Sequence, residues 1–148
     1  MITSKQLESI LHSEIPITQA MQIAVESCSD TEVLLSAPLE PNINHKQTAF
    51  GGSLYSIVVL AGWSMTYCLL DRLGINAQIV IHQSEVDYLA PVTATIEACC
   101  ELNNDVDIEK FKKLIQRKGR ARLKLKSRII SEGKTAVEFE GVYVCIAH

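Results

Sequence analysis

The stretch His45-Lys-Gln-Thr-Ala-Phe-Gly-Gly-Ser-Leu-Tyr-Ser-Ile-Val-Val-Leu-Ala-Gly-Trp-Ser-Met-Thr-Tyr-Cys-Leu-Leu70 decides the fold, because no charged residue occurs between positions 47 and 70. Gly51-Gly52 before this long apolar run predicts a turn that opens a helix. A helix from about Gly52 to Arg72 would be ~30 Å long, enough to cross a small domain. Apolar residues occupy nearly every direction around it, so we expect other elements to bury it on almost all sides.

A membrane span is the alternative interpretation of this run, since ~20 uncharged residues meet the usual length criterion. Glycine and hydroxyl residues dilute the run, among them Ser53, Ser56 and Thr66. The rest of the chain has the alternating pattern of amphipathic strands, which a membrane helix does not require. We therefore predict a soluble protein in which a curved sheet wraps the helix, with no membrane partner.

Length and composition narrow the class of protein. The 148 residues fit a single domain, 1–148, that can bury a sizeable core. A net charge of -3 and a pI near 5.8 do not indicate a nucleic-acid-binding surface, which requires a cationic excess. Five cysteines without a Cys-x-x-Cys pair predict neither a disulfide framework nor a metal site. Together with an N-terminus that lacks an apolar signal core, this predicts a cytoplasmic protein.

The segments that flank the central run alternate between helix and strand patterns. Two short helices are predicted first, one capped by Thr3 or Ser4 and one with Pro16 in its first turn. The prolines of segment 38–42 predict a loop that brings Asn44 and His45 to the start of the central helix. Strands are predicted at 22–27, 31–37, 78–89 and 93–102, and a short helix ends at Gly119. Along strand 78–89 simple alternation predicts Ile79, Ile81 and Gln83 on one face and Val80, His82 and Ser84 on the other.

The clearest hairpin joins strands 120–130 and 135–146 through a Ser-Glu-Gly-Lys turn. Its first strand alternates strictly, which places a row of five cations on one face: Arg120, Arg122, Lys124, Lys126 and Arg128. This row is either a docking surface for phosphates or an acidic carrier protein, or a solvated face paired with Glu138 and Glu140, with Glu97 and Glu101 as further candidates. Cross-strand pairing favours the second interpretation.

The order of elements predicts an α+β architecture, an antiparallel sheet of about six strands with helices gathered on one face. This order resembles the hotdog fold, in which a strongly curved antiparallel sheet wraps one long central helix. Four segments, 37–54, Leu60-Ala-Gly-Trp63, 86–92 and 119–125, are similar to the thioesterase branch represented by the C-terminal domain of YiiD-type proteins.

The resemblance implies that the chain handles acyl thioesters on coenzyme A or on acyl carrier protein. It implies a homodimer or a dimer of dimers, because active sites in this fold lie between two protomers. No separate cofactor is implied, since coenzyme A or phosphopantetheine is part of the substrate.

The helix start is the predicted catalytic site. Backbone amides near Gly51, Gly52 and Ser53 lie at the positive end of the helix dipole, where a thioester oxygen would gain hydrogen bonds as charge develops. Close packing of helix against sheet is the alternative explanation for the two glycines.

Two loop residues precede this site. Asn44 matches the polar residue that many hotdog thioesterases place ahead of the glycine pair, so its amide would orient a water or the thioester carbonyl. Alternatively it satisfies its own loop backbone, as Asn often does in turns. His45 is a candidate base beside the same helix start, or a solvated loop residue.

The familiar hotdog thioesterases carry a carboxylate about two turns beyond the glycine pair, but here that position is near Val59. The candidate carboxylates are therefore Asp87 and Glu85 on the following strand, with Ser84 and Tyr88 as neighbouring hydrogen-bonding groups. Exposed positions on a half-buried strand are the simpler explanation for both acids. Phe50 lines an acyl site or belongs to the core.

Three functions follow from these residues. The first is hydrolysis of an acyl thioester, with the helix-start amides polarising the carbonyl and Asp87 or Glu85 assisting proton transfer. The second is decarboxylation of a malonyl thioester, which needs the same amides but no base to activate water. The third is a non-catalytic module that binds acyl thioesters.

Overall fold

One helix of 23 residues, Gly51–Leu73, forms the centre of this computed structural model, which describes all 148 residues. The other elements surround it. In chain order the helices and strands are α1 (Ser4–Glu14), α2 (Ile17–Ala20), β1 (Ala24–Cys28), β2 (Glu32–Ala37), α3 (Gly51–Leu73), β3 (Ala77–Tyr88), β4 (Ile96–Glu101), α4 (Ile108–Lys118), β5 (Arg120–Ser131) and β6 (Lys134–Ala147), with a 3₁₀ turn at Glu40–Asn42 before α3.

The six strands form one antiparallel sheet in the order β1-β2-β4-β5-β6-β3. The sheet packs around α3, which contacts five of its strands. The predicted α+β hotdog architecture is therefore confirmed. β1 and β3 are the two edges, and β3 pairs only with β6.

The apolar run of α3 forms the centre of the hydrophobic core, around which the sheet packs. Twelve of its 23 residues are buried, and they cover almost the whole circumference of the helix. Although α3 is long and apolar enough to cross a membrane, 67% of that apolar window is buried inside the protein. Nothing in the structure supports the membrane interpretation. Gly74 ends the helix with φ +67, a left-handed conformation that glycine adopts without strain.

Local chemistry explains the other element boundaries. Thr3 caps α1 through a capping box with Gln6, and Gly119 ends α4 with φ +72. In the hairpin between β5 and β6, Glu132 and Gly133 both have positive φ, as a tight two-residue turn requires. These features agree with the predicted elements, except that Pro16 lies just before α2.

A bulge at His82 makes the alternation predicted for β3 wrong. Ile81 lies opposite Tyr143 but Gln83 lies opposite Val142, so His82 has no partner on β6. One extra residue moves every later side chain to the other face of the strand. Ser84 therefore shares the helix-facing side with Ile79, the side on which the sequence predicted Gln83.

The cationic row on β5 is paired along only part of its length. Lys124 and Lys126 lie 3.2 and 3.9 Å from carboxylate oxygens of Glu140, and Arg128 lies 2.9 Å from Glu101. The prediction of cross-strand pairs is confirmed for Glu140 and Glu101, whereas Glu138 and Glu97 form no ion pair. It is wrong for Arg120 and Arg122, because these two face Ile146 and Val144 on β6 and form no ion pair.

Candidate active site

The start of α3 presents backbone donors without acceptors. The first helical hydrogen bond runs from the Leu54 amide to the Phe50 carbonyl at 3.0 Å. The N–H groups of Gly51, Gly52 and Ser53 have no acceptor within the helix, and no loop or side-chain hydrogen bond uses them. Phe50 supplies no side-chain cap. A substrate oxygen at this point would meet free donors and the positive end of a long helix.

The loop before α3 is held by Asn42, which sequence reasoning did not single out. Its buried side-chain amide donates to the backbone carbonyls of Met21 and Pro38 at 3.0 and 2.8 Å. The backbone carbonyl of Asn42 accepts the Phe50 amide at 2.7 Å. Asn42 thereby positions the residue that precedes the free amides. Its place in a proline-containing loop predicts a turn but not this burial.

Two aromatic side chains flank the helix start. The Phe50 ring, 55% exposed, lies over Gly52 so closely that a Cβ there would be 3.0 Å from its Cζ. The Tyr88 hydroxyl donates to the Gly51 carbonyl at 3.2 Å. The predicted residues Phe50, Gly51, Gly52 and Tyr88 thus do lie together, and the C-terminal end of β3 contacts the opening of α3.

A second polar contact between α3 and β3 lies one helical turn further on. Tyr55 and Ser84 share a hydrogen bond between their hydroxyl oxygens, and the Tyr55 ring packs edge-on against Phe139 with centroids 6.0 Å apart. Tyr55 is four residues after Gly51 and therefore on the same helix face. That spacing was the one indication in the sequence that Tyr55 belongs to the site, and only the bulge in β3 turns Ser84 towards it.

Asn44 uses its side chain inside its own loop. Its Oδ1 accepts the amides of Lys46 and Thr48 at 2.8 and 3.2 Å, and its Nδ2 donates to the Thr48 hydroxyl at 2.8 Å. This is the second of the two arrangements expected for Asn44. Gln47 completes the turn with φ +63. His45 is exposed and has no hydrogen-bond partner, so a catalytic role for either residue stays a prediction.

The structure does not bring Asp87 and Glu85 to the helix start. After the bulge both side chains point to the outer face of the sheet, opposite Glu138 and Glu140 of β6. There they line a groove of about 400 Å³ together with Lys126 and Arg128. Both acids thus occupy the exposed strand positions that were the simpler explanation for them, and a catalytic role for either stays a prediction. Val59 occupies the helix position two turns beyond the glycine pair, and its backbone carbonyl accepts the Tyr143 hydroxyl at 2.7 Å.

Comparisons with known proteins agree with this arrangement. A family model described as "Putative thioesterase (yiiD_Cterm)" matches residues 4–147. A protein of unknown function from Chlorobaculum tepidum TLS is 36% identical, with a TM-score of 0.92 over 98% of this chain and 94% of that chain.

A structure described as a putative thioesterase from Shewanella oneidensis is also 36% identical, with a TM-score of 0.88 over 97% of this chain and 96% of that chain. A protein from Pseudomonas aeruginosa described as a probable thioesterase shares the fold, at 18% identity and a TM-score of 0.84 over 99% of this chain and 97% of that chain.

Proposed function

Since this chain belongs to the family described as "Putative thioesterase (yiiD_Cterm)", we propose that it hydrolyses acyl thioesters carried on coenzyme A or on the phosphopantetheine of an acyl carrier protein. The observation that carries the proposal is the set of unpaired amides at Gly51, Gly52 and Ser53, where a 23-residue helix begins.

In this reaction the thioester carbonyl oxygen accepts hydrogen bonds from the helix-start amides. Water adds to the carbonyl carbon, negative charge moves onto the oxygen, and the C–S bond then breaks to leave a carboxylic acid and a thiol. The amides are fixed before the substrate arrives, so they need no reorganisation as the charge develops. One such donor contributes about 3 kcal/mol of transition-state stabilisation.

The side chains around the amides bind and position the substrate. Tyr88 holds Gly51 in place by donating its hydroxyl to the Gly51 carbonyl. The hydrogen bond between Tyr55 and Ser84 joins α3 to β3 one turn further on. Phe50, whose ring is largely exposed beside Gly52, contacts the acyl chain or the thiol arm. Asn44 holds the loop that leads into the helix.

The active protein is a homodimer that pairs along β3, alone or as half of a dimer of dimers. β3 is a 12-residue edge strand with exposed Val80 and Ile81, whereas the other edge, β1, is 5 residues long and bulged. A long unprotected edge is a template for another strand. Because Tyr88 at the end of β3 contacts Gly51, a second copy on this edge lies next to the helix start and completes the site.

Decarboxylation of a malonyl thioester is the second candidate, and one observation favours it. The helix has Val59 in place of the acid that familiar hotdog thioesterases carry, and Asp87 and Glu85 face away from the helix start. In a decarboxylation the bond from the α-carbon to the carboxylate breaks, carbon dioxide leaves, and an enolate forms whose oxygen needs stabilisation. The same amides supply it without a base to activate water.

A panel of acyl and malonyl thioesters on both carriers tests these functions, with free thiol and carbon dioxide followed separately. Thiol release supports hydrolysis. Carbon dioxide with the thioester retained supports decarboxylation. Binding without either product leaves the chain as a non-catalytic module and refutes both enzymatic proposals.

A further inference from the structure

The charge of this chain is strongly segregated along the sequence. Ten of its 14 lysine and arginine residues lie between positions 110 and 128, a segment without any aspartate or glutamate. The other 129 residues carry four cations and all 17 acids, a net charge of -13. A formal charge of -3 for the whole chain therefore conceals one strongly basic segment.

These ten cations lie on two elements that contact each other, α4 and β5, and we call α4 together with the outward side of β5 the basic face. Five of them belong to α4 and five to β5. All are exposed except the partly buried Lys112. The apolar residues Phe111 and Ile115 anchor α4 to the core, so its cationic side is held towards solvent.

Seven of the ten cations form no ion pair. Only Lys124, Lys126 and Arg128 form ion pairs. A groove of about 540 Å³ runs between α4 and β5, and its apolar lining includes Leu114 and Leu123. Cations on its rim are Lys110, Arg120, Arg122 and Lys124, and the acids there are Asp105 and Asp107, so the rim keeps a cationic excess.

We infer that the basic face docks an acidic protein, and that this protein is the carrier that delivers the thioester on its phosphopantetheine arm. The inference rests on the proposed function for the identity of the partner. The five cations of β5 span ~26 Å at about 3.3 Å per residue, and α4 extends the face further. This length matches a contact with the surface of another protein and exceeds the extent of the phosphates of a single nucleotide.

The rest of the chain selects the class of partner. Oppositely charged surfaces steer association and suppress wrong partners. A nucleic acid extends its negative charge well beyond the basic face and would meet the acids elsewhere on the chain. A small acidic protein presents its charge on one side, and the groove offers an apolar lining against which its apolar side chains would pack.

Binding of the apo form of a bacterial acyl carrier protein tests this inference, because apo carrier cannot be turned over. The variant R120E/R122E reverses two unpaired cations, and K113E/R117E does the same on α4. K5E/K134E is the matched control, since it makes the same charge change at exposed positions outside the basic face. Circular dichroism and thermal unfolding confirm that each variant is folded.

We expect wild type and K5E/K134E to bind with the same affinity, and each basic-face variant to bind at least ~10-fold more weakly, with the difference shrinking as salt rises. For an acyl chain on carrier protein, KM should rise by ~10-fold in R120E/R122E with kcat unchanged. For the same chain on coenzyme A, neither should change. Binding that depends on the basic face without any turnover refutes the proposed function but supports docking.

Three results would overturn the docking inference. The first is equal binding by all variants, or no binding by wild type. The second is tighter binding of duplex DNA or RNA than of carrier protein. The third is a change of oligomeric state in R120E/R122E by sedimentation, which would make the basic face an interface between copies of this chain.

Discussion

Gly51→Ala separates the role of the helix start in folding from its role in chemistry. A Cβ at this position would meet only the Tyr88 ring, at 3.8 and 3.9 Å, which is ordinary van der Waals contact. Alanine is also a better helix former than glycine, by up to about 1 kcal/mol in a helix interior and less at its first residue. The variant should therefore be as stable as wild type or slightly more stable.

Activity should nevertheless fall, because the new methyl group lies between the helix start and Tyr88, beside the amides that the proposed mechanism assigns to the thioester carbonyl. Displacing the oxygen from one preorganised donor lowers kcat by about 10²–10³-fold, or roughly 2.7–4 kcal/mol. Thiol release from an acyl thioester measures kcat, and urea unfolding measures stability.

Ser56→Ala is the control, since the exposed Ser56 hydroxyl donates to the Gly52 carbonyl at 2.8 Å and uses none of the free amides. It should keep full turnover. A Gly51→Ala protein that is stable and fully active would refute the assignment of the helix start as the catalytic site.

Three further predictions test the packing that surrounds the site. Gly62→Ala should destabilise the fold by about 1–3 kcal/mol in urea unfolding, because its Cβ would lie 2.5 Å from Cζ of the fully buried Tyr143, and an unchanged midpoint would contradict this packing. Asn44→Ala should lower the unfolding free energy by about 1–2 kcal/mol, whereas Asn44→Asp, which keeps the Oδ1 acceptor, should stay near wild type. Equal losses in urea unfolding would show that the Oδ1 acceptor does not stabilise the loop. Burial raises the pKa of the Cys100 thiol from 9.0 to about 12, so above about pH 9 the unfolded chain loses a proton that the folded chain keeps, and stability falls. Between about pH 9 and 11 the unfolding free energy of wild type should fall more steeply than that of Cys100→Ala, by up to about 1.4 kcal/mol per pH unit, and identical slopes would refute the shift.

Most of the fold could be predicted because its elements depend on local patterns. The uncharged run defines α3, the strict alternation of β5 defines the hairpin, and Gly74 and Gly119 end their helices in the left-handed conformation. Capping by Thr3 is likewise a property of a few neighbouring residues. Each of these features is specified within a window of a few residues to a few turns.

The candidate site could be predicted only in part. Gly51, Gly52 and Ser53 mark the free amides because a helix start is visible in the sequence, and Tyr88 does lie beside them. The partner of Ser84 could not be found in this way, since its contact with Tyr55 joins residues 29 positions apart. Burial of Asn42 depends on carbonyls of two other segments.

The amino-acid sequence by itself determined the central helix, the order of the strands along the chain and the free donors at Gly51, because hydrophobic period and glycine placement act locally. Only the tertiary structure decided which side chains of β3 face those donors. The bulge at His82 arises from pairing with a strand more than 50 residues away, and it turns Ser84 inward and Asp87 outward. An alternating pattern carries no record of one unpaired residue, so the face that each later side chain occupies is decided when the two strands meet.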